Sequence, residues 1–128
     1  MIKKTITYTD YNDLNRTEDF YFHLTEAELT ELSVSVDGGL AALLEKIVKE
    51  KNQKQIWEYM KILVNKSYGV KSADGRQFKK DKDILDSFAQ TEAYSMLLME
   101  LSSDAAAASA FANGILPKKL SEKVAAAK

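Results

Sequence analysis

Residues 84–116 read ILDSFAQTEAYSMLLMELSSDAAAASAFANGIL, and their apolar side chains recur at helical rather than strand spacing. Tyr94, Leu98 and Leu101 fall at i, i+4 and i+7 with Ala93 and Leu97 beside them, so one face must be buried. From Ala105 to Ala112 nearly every side chain is small, which favours helix but offers little grip, and Phe111 is the bulky exception. Gly114 after Asn113 predicts a left-handed cap that leaves Ile115 and Leu116 exposed before Pro117 forbids further helix. What Phe111, Ile115 and Leu116 touch is then the functional question. The alternatives are a last helix packed closely on its own domain and a docking surface for another chain, and both can hold together.

Upstream, Asp81 is placed to cap a helix bearing Ile84, Leu85 and Phe88, Thr91 to start the next, and Ser103 with Asp104 to restart the alanine-rich one. Ser72-Ala73-Asp74-Gly75 is a turn between short extended pieces around Val70 and Phe78. Ile56, Met60 and Leu63 define a helical stripe flanked by Trp57 and Val64, with Gly69 placed to end it. Leu40, Leu43, Leu44, Ile47 and Val48 form the strongest helical stripe, after an Asp37-Gly38-Gly39 break and before a polar connection at Lys51-Asn52-Gln53. Val34 and Val36 alternate with Ser33 and Ser35 as a brief extended segment. Thr25 with Glu28 matches a capping box ahead of Leu29 and Leu32.

At the N-terminus, Ile2, Lys4, Ile6 and Tyr8 alternate with Lys3, Thr5, Thr7 and Thr9, and Phe20, Phe22 and Leu24 alternate with Asp19, Tyr21 and His23. The intervening DYNDLN is turn chemistry, so an antiparallel hairpin is expected. The fold class is α+β: an N-terminal antiparallel β-hairpin packed with a bundle of about five helices. Residues 1–117 are expected to form one compact domain and residues 118–128 a mobile C-terminal tail without an apolar stripe.

A chain of 128 residues suffices for one core. Eighteen basic against nineteen acidic residues give a net charge of -1, which makes nucleic acid a poor default partner. Cysteine is absent, excluding disulfides, thiolate metal sites and thiol nucleophiles. No window approaches the apolar length of a membrane span, so the expectation is a soluble intracellular protein with no membrane partner. Catalytic constellations are equally thin. His23, the single histidine, lies in a strand without a nucleophile motif, so no catalytic residue is assigned. Asp10, Asn12 and Asp13 depart from a calcium loop, because Leu14 takes a ligand position and Asn15 the required glycine. Asp81, Asp83 and Asp86 alternate with lysines and read as caps and solvated charge, and Gly38-Gly39 lacks the rest of a phosphate loop. No metal site and no cofactor are expected. Phe20-Tyr21-Phe22 beside Glu18 and Asp19 reads as sheet packing rather than base stacking.

Four groups of residues carry a resemblance: Thr25-Glu26-Ala27-Glu28-Leu29; Ser67-Tyr68-Gly69-Val70-Lys71-Ser72 with Asp74-Gly75-Arg76-Gln77-Phe78; Phe88-Ala89-Gln90-Thr91-Glu92-Ala93-Tyr94; and Phe111-Ala112-Asn113-Gly114-Ile115-Leu116-Pro117. In wording and order, over roughly the first 117 positions, the chain resembles tail assembly chaperones of long-tailed, siphovirus-like phages of Gram-positive bacteria. The resemblance implies a non-enzymatic protein that binds the tape measure protein and tail tube protein during tail morphogenesis in the host cytoplasm and is absent from the mature virion. A tape measure protein is long and largely apolar-helical, prone to associate before tube subunits cover it. The family also implies a programmed frameshift, for which Lys118-Lys119 could be encoded by a slippery run. Phe111, Ile115 and Leu116 are the partner-binding candidates, and the alanine face allows a homo-oligomer. The alternative from another class is a structural tail or connector component retained in the virion; a small enzyme is the third.

Overall fold

The computed structural model describes residues 1–35 and 53–116. Strand β1 (Ile2–Thr9) and strand β2 (Asn15–Phe22) form the expected hairpin, antiparallel from Ile2↔Phe22 to Thr9↔Asn15. The turn is built by Asp10, whose Oδ1 accepts from the amides of Asn12 (2.8 Å) and Leu14 (3.0 Å). Asp13 adopts φ 61°, a left-handed conformation that aspartate tolerates better than most residues. Strands β3 (Tyr68–Lys71) and β4 (Phe78–Lys79) extend the hairpin into a four-stranded antiparallel sheet of order β1-β2-β3-β4. Between them Gly75 takes φ 77°, which glycine reaches without steric cost.

Five helices are described: α1 (Glu26–Ser35), α2 (Gln53–Ser67), α3 (Lys82–Ala89), α4 (Glu92–Ser103) and α5 (Ala105–Gly114). The sequence marks their starts well. Thr25 and Glu28 exchange bonds as a capping box, with Thr25 N donating to Glu28 Oε1 (2.9 Å) and Glu28 N to Thr25 Oγ1 (3.2 Å). Asp81, Thr91 and Asp104 cap α3, α4 and α5 by accepting amides of the first turn. The architecture is therefore α+β, as the patterning predicts. The helix read at Leu40–Val48, the Asp37-Gly39 break, the Lys51-Asn52 connection and the tail beyond Leu116 lie outside the described residues.

The core lies between the inner sheet face and the helices. Phe22 is fully buried, its ring 5.6 Å from Tyr68, 6.0 Å from Phe88 and 5.2 Å from Phe111. Ile6, Leu24, Met60, Leu63, Leu97 and Leu101 belong to the same buried cluster, so β1, β2, α2, α4 and α5 share one apolar interior.

Three local expectations are overturned. Ser33–Ser35 continue α1 rather than forming an extended piece, since a short alternation also fits one helical turn and valine only slightly disfavours helix, while Val36 lies outside the described residues. Gly69 does not end α2, which stops at Ser67; it lies in β3 opposite Tyr21, where an added Cβ would lie 2.7 Å from Phe78 Cε2. Gly114 is not a left-handed cap but the last residue of α5, and its missing side chain admits Ile2, whose Cδ1 would lie 2.7 Å from a Cβ there.

Candidate partner-binding surface

The structure brings Phe111, Ile115 and Leu116 together, but in the core. Their exposures are 2%, 1% and 2%, which overturns the expectation that Ile115 and Leu116 stand free at the end of the last helix. The reason is that the end of α5 is tied to the sheet. Leu24 N donates to Ile115 O at 2.8 Å, and Gly114 lets that end lie directly on Ile2. A glycine-proline boundary marks where a helix stops; it says nothing of whether the residues there are covered.

The titratable groups are held in structural roles. His23 Nδ1 is buried without a hydrogen-bond partner among the described residues, and the ring meets Phe78 edge-on at 6.4 Å. Burial, then the Met1 ammonium and Lys80, push its pKa below the ordinary value, against a smaller opposing effect of Glu28. Asp10 is bound by Arg16 Nε at 2.6 Å, and that bond together with the turn amides holds its carboxyl below the usual range. Asp81 caps α3, and Asp86 lies 3.9 Å from Lys82 on exposed surface. Tyr8 donates to Glu18, which with burial raises the phenol's pKa. Among the described residues no group of three or more His, Asp or Glu could hold a metal ion. No described helix is long and apolar enough to cross a membrane. Of the aromatic run, Phe20 packs inward on Phe88 with its ring tilted by 33° (4.9 Å between centroids), whereas Tyr21 points to the other face under Lys71 Nζ (4.1 Å from the ring).

Exposed apolar side chains lie elsewhere than the last helix. Met96 and Met99 on α4, Ile62 on α2, Val70 on β3, and Tyr11 and Leu14 at the hairpin turn are all exposed. Met96 shares an open recess with Tyr11, Asp13 and Glu92, so the turn and the start of α4 form its two walls. Sequence reasoning passed over these methionines although the signal was present. Once Tyr94, Leu97, Leu98 and Leu101 fix the buried side of α4, a rotation of about 100° per residue puts Met99 opposite and Met96 beside it.

No curated protein and no solved structure matches the chain. A family model described as phage tail assembly chaperone matches residues 1–128. Spanning the hairpin, the sheet and every described helix, that match shows that the chain belongs to the phage tail assembly chaperone family.

Proposed function

We propose that this protein binds the tape measure protein and tail tube subunits while the phage tail is built in the host cytoplasm, acts without catalysis, and is left out of the finished particle. Membership of the tail assembly chaperone family carries the reading. The family's role implies binding of tail proteins, and a protein that shields apolar tail components before assembly needs exposed apolar side chains on a stable scaffold. Met96, Met99, Ile62 and Val70 supply such side chains while the core beneath them stays closed.

Co-expression with the tape measure protein of the same phage tests the binding. The reading expects the two to purify together, and a tape measure protein that never accompanies the chain contradicts it. Mass spectrometry of purified virions separates a chaperone from a retained tail or connector subunit, since the chaperone should be absent or far below stoichiometric. We propose in addition that ribosomes shift frame at codons for Lys118-Lys119. Gene sequence without a slippery heptamer there removes that idea.

A further inference from the structure

The molecule is nearly neutral as a whole, but its charge is unevenly distributed. From Asp83 to Leu116 the chain carries Asp83, Asp86, Glu92, Glu100 and Asp104 and no lysine, arginine or histidine. Met96 and Met99 stand in this stretch, 47% and 56% exposed and three residues apart, and so neighbours on the surface of α4. Met96 opens into the recess that Tyr11, Asp13 and Glu92 also line. Tyr11 is 74% exposed, yet its hydroxyl donates to Gln90 O at 3.2 Å, which holds the ring beside the start of α4. Of the recess carboxylates Asp10 is neutralised by Arg16, whereas Asp13 and Glu92 form no ion pair among the described residues.

We infer that this recess docks a partner segment whose apolar side chains are flanked by lysine or arginine. Methionine is unbranched and polarisable, so Met96 in the recess with the held Tyr11 ring, and Met99 next to it on α4, accept apolar side chains of varied shape. The uncompensated Asp13 and Glu92 then select among apolar segments. A cationic flank meets opposite charge, an acidic flank meets like charge, and a phosphate backbone is repelled as well. The inference rests on the chaperone reading for the source of the segment, a tail protein, and not for the chemistry of the surface.

The test uses the full chain and two synthetic peptides with the same leucines at helical spacing, one flanked by lysines and the other by glutamates. By fluorescence anisotropy the lysine peptide should bind about tenfold more tightly than the glutamate peptide, and Asp13→Asn with Glu92→Gln should narrow that gap. Met96→Ser with Met99→Ser should weaken lysine-peptide binding about tenfold with an unchanged circular dichroism spectrum. Equal binding of the two peptides, or binding indifferent to both methionines, overturns the inference. Co-purification with the tape measure protein separates it from the reading above. A complex that survives loss of both methionines overturns this surface and leaves the chaperone role standing. Selective lysine-peptide binding by a chain that captures no tape measure protein keeps the surface and removes that partner.

Discussion

Lys80 Nζ lies 2.7 Å from Glu28 Oε2 and joins the segment after β4 to the first turn of α1. The same ammonium donates to His23 O (2.7 Å) and Lys66 O (2.9 Å), so one side chain links the ends of β2 and α2 to α1. Glu28 meanwhile closes the capping box through Oε1. Burial raises its pKa, but the bond and charge of Lys80 with the Thr25 amide outweigh that and leave it below the ordinary value. Lys80→Met should lower stability in urea by about 1–2 kcal/mol, the partial exposure of the pair holding the loss at the low end for a charged hub. Glu28→Gln combined with Lys80→Met should cost less than the sum of the single changes. Strict additivity would show that the two side chains do not act as a pair.

His23 and Glu28 each contribute to the acid limb, alongside Asp10, whose carboxyl Arg16 and the turn amides hold low. The folded His23 binds its proton less readily than the unfolded chain, so its contribution is complete above 6.5 and is lost as pH falls through the depressed value. Glu28 acts in the same sense lower down, its contribution present above 4.5 and lost as pH falls through its own lowered value. Melting temperature measured from neutral to acid should therefore drop in two windows. His23→Gln should flatten the upper one and leave the lower; an upper slope unchanged by that substitution would assign it to another group.

Phe111 and Leu116 are structural before they can be adhesive. Phe111→Ala should cost about 3–5 kcal/mol, and Leu116→Asp should cost more because a carboxylate would be buried without a partner. Loss of the cooperative transition by circular dichroism is the expected outcome for Leu116→Asp. A Leu116→Asp protein with native stability would mean that the end of α5 is not held against the sheet.

The two displaced glycines differ in what they meet. A Cβ at Gly69 would lie 2.7 Å from the Phe78 ring and 3.0 Å from Lys79 O, a backbone atom of β4. Gly69→Ala should therefore push β4 away and cost about 1–3 kcal/mol. At Gly114 the nearest atom is the terminal methyl of Ile2, which can move, and alanine gains up to about 1 kcal/mol of helix propensity. Gly114→Ala should be the milder change in thermal denaturation, and Ile2→Val should relieve part of it. The reverse order would contradict the packing described for these positions.

Local chemistry was legible in the sequence where side chains act on their own neighbours. The Thr25–Glu28 box, the caps at Asp81, Thr91 and Asp104, and the alternation of β1 and β2 all follow from interactions within a few residues. What escaped depends on contacts distant in sequence. That Gly69 is opposite Tyr21 and Gly114 against Ile2 cannot be read from a glycine's neighbours, and a left-handed cap is the commoner use of glycine at a helix end. The same holds for Ile115, whose burial is imposed by the Leu24 amide. Met96 and Met99 are out of phase with the buried side of α4, and that phase was already present in the spacing of Leu97, Leu98 and Leu101.

The central claim is that this chain works by covering a tail protein before assembly. Its most direct measurement is the soluble yield of the cognate tape measure protein, expressed with and without the chain and followed by size-exclusion chromatography. The account predicts that soluble tape measure protein rises in the presence of the chain and that the two elute as one complex. A yield unchanged by the chain, with the two proteins eluting apart, would contradict it.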